Sequence, residues 1–517
     1  MTRNVRMKSF TVRALTLSLC TTFIAACGAK LLWQSSETLG QPAVATAVAV
    51  DADKNSYVGI GLRSASAESI NDGYSPSLEK RDDKGQLIWR VSLTENYVVK
   101  QVVALGNSLL AVATGGSATV PGARGELLLV SSVDGSIVRV LQSYSDRKFV
   151  KMLVGNNSLV VASSSQDYTC KPSSCDHFDT AVSAIDVYST SGDVLKSTLL
   201  KTSEIVDFDV DNQRLTVLEQ SPALKIESFD YALSKLTSTD DVAESKTVLA
   251  SCAVDKLEVS NGSAFVLCEK ELVKFNPQAQ VVWRSRFDAF LKTKTNWGPG
   301  IDAIDYWAPN AVMSADAAGN IVVAKTRAKA LASRNEPPFF GPVPIPGGGV
   351  FQSDVVLLKL DGATGTVVWS DDINTSPAVS DSSVTAIYYQ PVEVNAQGSR
   401  IHLTYRAAVA EIKQCYEWAD MFLPLSPCEI DNYKDQYGAT REYATDGKRL
   451  SVMRHAIKKP RAVVEYGGTQ WVVGDEETLL SASDADFYVG GIAYSHDNLP
   501  EDFLTPKPVS VQAYQYK

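Results

Sequence analysis

Histidine is scarce. Four occur in 517 residues (His177, His402, His455 and His496), with no His-x-x-x-His pair and no triad-like local pattern. That excludes a His-rich metal site and leaves no nucleophile-and-base pair to nominate, so the chain reads as a non-enzyme with no metal and no cofactor. Cys-x-x-Cys is absent, and with it the usual spacing of a thiolate zinc cluster. Positive charge is also short: Lys and Arg number 49 against 59 acids, a formal net charge of −10, without the basic stripe that nucleic acid requires. No stretch approaches 18 uninterrupted apolar residues, so no spanning helix is expected. Apolar material itself is plentiful at 45%, enough for a large core and too much for a disordered chain.

The N-terminus carries an export signal over residues 1–26. Arg3, Arg6, Lys8 and Arg13 precede an apolar run from Ala14 to Ala26. The run ends in Ile24-Ala25-Ala26-Cys27-Gly28, the pattern of a lipobox, in which small residues suit a peptidase pocket and the thiol of Cys27 takes up diacylglycerol and then palmitate. Gly28 is not the aspartate associated with inner-membrane retention, so an outer-membrane, periplasm-facing lipid anchor is expected, with no spanning helix. Removal of the leader leaves 491 residues, 27–517, as a single domain, and lowers the formal charge to −14.

Cys20 leaves with the leader and Cys27 is acylated, which leaves six cysteines. They fall in local pairs: Cys170 with Cys175, Cys252 with Cys268, and Cys415 with Cys428. In an exported chain these read as disulfides, and this pairing is the simplest of 15. The alternative, a metal cluster, has only His177 nearby.

The body is an internal repeat. An apolar run, a turn of Gly, Asn, Asp or Gln and a second apolar run recur at Asp53-Lys54-Asn55, Gly106-Asn107, Asn156-Asn157, Asp211-Asn212, Asn261-Gly262, Gly319-Asn320, Gln397-Gly398 and Gly467-Gly468. These residues tolerate positive φ and suit tight hairpins. A second hairpin follows each, clearest at Asp354 to Trp369 and at Leu78 to Trp89. Two hairpins make four antiparallel strands, the size of one propeller blade. Eight copies predict an all-β, eight-bladed β-propeller of four-stranded blades, with seven blades the alternative. The last copy lacks a fourth strand at Lys517. Lys30-Leu31-Leu32-Trp33 matches Val-Val-Trp369 and Leu-Ile-Trp89, so residues 31–38 are expected to complete the last blade beside residues 509–516.

Asp361-Gly-Ala-Thr364-Gly365-Thr-Val-Val-Trp369 resembles the tryptophan-docking repeat of PQQ-type propellers. The units at 48–89 and 311–369 also resemble bacterial SBBP-type propeller repeats. The resemblance implies that the aspartate and threonine close the turn and that the indole packs between neighbouring blades. Lipobox and repeats together are similar to the propeller lipoprotein of the outer-membrane β-barrel assembly machinery, which implies a scaffold role in the envelope. The adjacent cysteines that quinoprotein dehydrogenases often carry beside PQQ are missing. Asp83-Lys-Gly85-Gln-Leu-Ile-Trp89 resembles a sialidase Asp-box with its aromatic one position off, and Asp51-Ala-Asp53-Lys-Asn55 lacks the continuation of a calcium loop and reads as a hairpin turn.

In a four-stranded blade the first and third connections leave one end and the others leave the opposite end. The first class is uniformly short here. The insertions, near 114–124, 164–181, 288–310, 326–352, 406–440 and 475–508, all belong to the second, where function concentrates. They carry Trp297, Tyr306, Trp307, Phe339, Phe340, Tyr416, Trp418 and Phe422. Exposed, these aromatics suit a protein partner or a sugar ring; the alternative is that they are buried beneath their own loops. The expected function is a lipid-anchored scaffold, monomeric outside its complex, that binds another envelope protein through this side. A glycan-binding surface lipoprotein is the alternative, and a quinoprotein-like oxidoreductase the third reading.

Overall fold

The computed structural model of the chain describes residues 29–39, 43–63, 74–93, 98–106, 108–115, 125–144, 147–165, 182–201, 203–221, 223–291, 294–298, 301–333, 350–374, 378–379, 383–396, 398–413, 430–475 and 509–516. Strand dominates them. Residues 43–92, 98–144, 147–201, 204–238 and 254–286 are separate four-stranded antiparallel units, and residues 459–475 and 509–516 form another with 29–37. A ten-stranded sheet holds two further meanders, 301–373 and 383–454, joined through one parallel pairing of Ser353 with Tyr388. Such repeated four-stranded meanders are the construction of a propeller.

The middle strands of each unit are apolar almost without interruption because both faces are covered. In the 98–144 unit, Leu110, Val112, Leu128 and Val130 pack towards Tyr57 and Leu78 of the preceding unit. The intervening Ala111, Ala113, Leu127 and Leu129 pack towards Met152, Leu159 and Val161 of the following one. Burying each such large aliphatic contributes about 1.5–3 kcal/mol. An alternating pattern would fit one buried face; a continuous run fits two.

The first strands of successive units pack against one another. Ala43–Val50 meets Val98–Gly106, and the series runs on until Lys459–Tyr466 meets Ala43–Val50 again. Every first strand shifts register against its partner, at Thr46, Lys100, Val150, Val206, Asp255, residues 308–310, Val392 and Arg461. A bulge at this level adds twist and bends the strand away from a flat sheet.

The chain's first strand, Ala29–Glu37, pairs antiparallel with its last, Val509–Tyr516, from Ala29 opposite Tyr516 to Glu37 opposite Val509. It also reaches the 43–92 unit. Arg81 donates to the Ser35 hydroxyl at 2.6 Å, and Arg90 grips the Glu37 carboxylate with two guanidinium nitrogens. That grip holds Glu37 below the usual carboxylate range.

Three of the six insertions are not loops throughout, which corrects the sequence reading of 288–310, 326–352 and 406–440. Ile301–Ala315, Ile321–Ser333, Arg400–Lys413 and Ile430–Ala444 are strands of 13 to 15 residues that continue through the regions read as insertions. Their alternation, as in Arg-Ile-His-Leu-Thr-Tyr-Arg-Ala-Ala-Val, suits extended backbone. A short helix, Ala243–Ala250, also occupies the connection between the 204–238 and 254–286 units. Its residues Val248 and Leu249 are buried against Ile226 and Phe275.

Candidate functional site

The two ends of the units are built differently. At the turn end, an aspartate or asparagine opens many of the tight turns and accepts backbone N–H groups two to four residues on, and Ser189 does the same with its hydroxyl. Asp51 takes those of Asp53 and Asn55, Asp82 those of Lys84 and Gln86, and Asp361 those of Ala363 and Thr364. The Asp51 carboxylate is thereby spent on its own turn and on the Tyr57 hydroxyl, at 2.7 Å.

The same turns lock neighbouring units. Trp89 Nε1 and Lys80 Nζ, cross-strand partners, both donate to Ser132 O of the next unit. Trp283 and Lys274 do so to Gly362 O, and Trp369 and Lys359 to Thr445 O. A turn glycine lies flat against each indole. A Cβ on Gly135, Gly365 or Gly447 would sit 2.9, 2.6 or 2.6 Å from the ring, and one on Gly85 would sit 2.3 Å from Trp33. In the 98–144 unit Arg139 fills the tryptophan position and donates to Ser191 O.

Polar side chains also bridge the first strands. Gln101 exchanges two hydrogen bonds with the backbone of Met152, at 2.8 and 2.9 Å. Lys151 donates to Phe208 O; Asp207 and Asp209 accept from Leu257 N and Val259 N; Glu258 accepts from Ala315 N. Burial works against the charge on Lys151, but Asp207 and Asp209 outweigh it and hold the ammonium above its usual range. Burial and the Asp209 carboxylate push Glu258 up to about 8. Burial pushes Glu393 up to about 7, with Lys256 and Lys151 pulling it down. Lys151, Asp209, Glu258 and Glu393 come from four units, so their first strands converge on shared electrostatic surroundings.

At the opposite end the 301–373 and 383–454 units project. Arg327, 2% exposed, anchors the base of the first projection. Its guanidinium meets Asp354 at 3.0 Å, Asp372 at 3.1 Å and Phe290 O at 2.7 Å, and Lys329 pairs with Asp354 at 2.8 Å. A tyrosine cluster supports the second. Tyr389 meets Tyr405 edge-on at 5.9 Å, and Arg454 lies 4.1 Å over the Tyr437 ring. Ser353 Oγ ties the two projections together, accepting from Tyr389 N and donating to Tyr389 O.

Of the aromatics singled out in the sequence, Trp307 is corrected. It lies on a strand, 4% exposed, edge-on to Phe287 at 6.3 Å, and is core rather than contact surface. Tyr306, its neighbour, is half-buried. Trp297 lies on the short strand Lys294–Gly298. Phe339, Phe340, Tyr416, Trp418 and Phe422 fall outside the described residues, as do Cys27, Cys170, Cys175, Cys415 and Cys428. Cys252 and Cys268 are joined by a disulfide. His402 and His455 serve the seam between the 383–454 unit and the last one. His402 Nδ1 meets Glu465 at 2.8 Å and its ring stacks on Tyr516, while His455, held neutral by burial with a pKa of about 3, meets the Thr440 hydroxyl at 2.8 Å. Sequence reasoning missed Arg327, Arg139 and the first-strand charges, because their partners lie on other strands or other units.

No protein-family model matches the chain, and no curated protein matches it. Solved structures give low likenesses. Hsv2 of Kluyveromyces lactis is 8% identical, covering 76% of this chain and 98% of that one, with a TM-score of 0.36. The AfRom2 CNH domain is 12% identical, covering 67% and 99%, with a TM-score of 0.33. A protein of unknown function from Bacteroides caccae is 12% identical, covering 64% and 94%, with a TM-score of 0.29. Likenesses of this size say nothing of function, and the fold stands on the strand topology.

Proposed function

We propose that the chain is a closed, eight-bladed β-propeller, lipid-anchored at Cys27 on the periplasmic side of the outer membrane, that binds another envelope protein through its long-connection end. Eight four-stranded units, the cyclic packing of their first strands and the completion of the last by residues 29–37 support the ring. The lipobox supports the anchor.

The observation that carries the binding role is the asymmetry of the two ends. Tight, internally satisfied turns and indole locks occupy one end. The other bears every long connection and two projecting hairpins on an arginine and tyrosine base. A rigid frame that spends its variation on one side suits multi-point docking to a protein surface. The projection at 400–444 is the element to test. Replacing residues 414–429 with a short Gly-Ser turn keeps the strands Arg400–Lys413 and Ile430–Ala444 and removes Tyr416, Trp418 and Phe422. Cross-linking and pull-down from envelope extracts are expected to lose the partner while the variant keeps its unfolding temperature. Retention of the same partners by the folded variant would remove this projection from the binding surface.

A further inference from the structure

The fourth strand of each unit breaks register with the third near its start, and the residue skipped there is always a large aliphatic; the 98–144 unit has a second break, at Leu141. In the first four units these residues are Ile88, Val138, Leu195 and Leu236. In the remaining units they are Val282, Val368, Leu450 and, on the chain's first strand, Leu32. All eight are exposed, from 41% to 55%. Single exposed aliphatics are ordinary on a soluble protein. An exposed aliphatic at the same register position of eight units is a belt.

The belt has a level. In seven units it follows directly on the turn that joins the third and fourth strands, and in the last Leu32 lies near the start of Ala29–Glu37 beside the Gly467-Gly468 turn, so the belt rims the turn end. Beyond it three of the fourth strands turn polar towards the opposite end, whereas Val140, Leu199 and Val452 leave further aliphatics exposed on three others. Leu31-Leu32-Trp33 is followed by Gln-Ser-Ser-Glu, Val281-Val282-Trp283 by Arg-Ser-Arg, and Val367-Val368-Trp369 by Ser-Asp-Asp. In these three strands polarity changes along the strand axis, as it does across a membrane interface.

The anchor enters at that same end. Ala29 pairs with Tyr516 beside the Gly467-Gly468 turn, and Tyr516 N donates to Gly468 O. Only Gly28 separates Ala29 from Cys27. Two trans peptide units span at most about 7.6 Å, so an acyl chain on Cys27 holds this edge of the turn end against the lipid. Leu31, Leu32 and Tyr466 are exposed at that edge.

We propose that the protein rests on the anchoring leaflet by its turn end, with the aliphatic belt in the interfacial layer and the long connections facing away. The proposal rests on acylation of Cys27 and adds an orientation and a second lipid contact that acylation alone does not supply. The turn end is rich in carboxylates, Asp51, Asp82, Asp134 and Asp361 among them. A zwitterionic leaflet therefore suits it better than an anionic one.

Position-specific fluorescence on the full acylated protein tests this. Val138→Cys, Val282→Cys and Lys270→Cys variants carry an environment-sensitive label and are reconstituted in phosphatidylethanolamine–phosphatidylcholine vesicles containing a bilayer-embedded quencher. Val282 and Lys270 lie at opposite ends of one unit. The expected result is a blue shift and quenching at 138 and 282, with the label at 270 unchanged from its value in water. Aqueous spectra at 138 and 282, or quenching at 270 instead, would overturn the proposal and leave the anchor standing. Palmitate incorporation, compared with a Cys27→Ser variant, reads the anchor separately: no label on the unsubstituted chain would overturn the anchor and the orientation with it.

Discussion

The indole of Trp33 lies flat on Gly85, fifty-two residues later in the chain and in a different sheet. A Cβ at Gly85 would stand 2.3 Å from the ring. This is the relationship of Trp89 to Gly135, Trp283 to Gly365 and Trp369 to Gly447, in each case between a fourth strand and the following unit. Trp33 thus treats the first unit as the successor of the last.

Gly85 is the first place to measure the lock. Its φ is +80°, as Gly106 has +77°, but nothing lies within 4 Å of a Cβ at Gly106. Gly106→Ala is expected to cost about 1–2 kcal/mol of backbone strain. Gly85→Ala adds the overlap with the indole, so its cost should rise to about 2–4 kcal/mol. Chemical denaturation of the two variants checks the difference.

Trp307 gives a contrasting expectation. It is buried between Phe287 and the 321–333 strand, so Trp307→Ala should destabilise by about 3 kcal/mol. Capture of an envelope partner by the folded fraction should be unchanged.

The charges bridging the first strands give the protein a pH dependence. Glu258 and Glu393 have folded values raised to about 8 and about 7, above their unfolded value near 4.3. In that window the native state holds more protons than the unfolded one, so stability falls as pH rises from about 4.5 to 8. Glu258→Gln retains an oxygen for Ala315 N and removes the ionisation. Thermal unfolding should show it stabilised at pH 8, by about 1–3 kcal/mol, and nearly unchanged at pH 5.

The Cys252–Cys268 disulfide closes a loop with a sequence separation of 16. Replacing both cysteines with alanine should cost about 3 kcal/mol through the freedom returned to the unfolded chain. The unsubstituted protein should lose at least this much in reductant, and the double variant should lose less than the unsubstituted one does.

Sequence and structure meet where function of a residue is local. Asp51, Asp82 and Asp361 close their turns with backbone N–H groups no more than four residues on, so these turns were legible, as was the Trp33 match to Trp89 and Trp369. The register bulges were not legible, because Ile88 and Leu32 are distinguished only by how their strands pair with a neighbour. Arg139 was missed because a guanidinium stands where the pattern has an indole, and it reaches Ser191 O of the next turn instead. Trp307 was misplaced because a residue in an insertion looks like loop until the partner strand 321–333 is seen beside it.

The claim on which ring closure, anchor placement and orientation all depend is that residues 29–37 are the fourth strand of the last unit. Hydrogen exchange of the peptide covering residues 29–37 tests it most directly. The account expects protection comparable to that of residues 509–516, with both lost together in Trp33→Ala. Exchange of 29–37 at the rate of an unstructured peptide, while 509–516 stays protected, would contradict it.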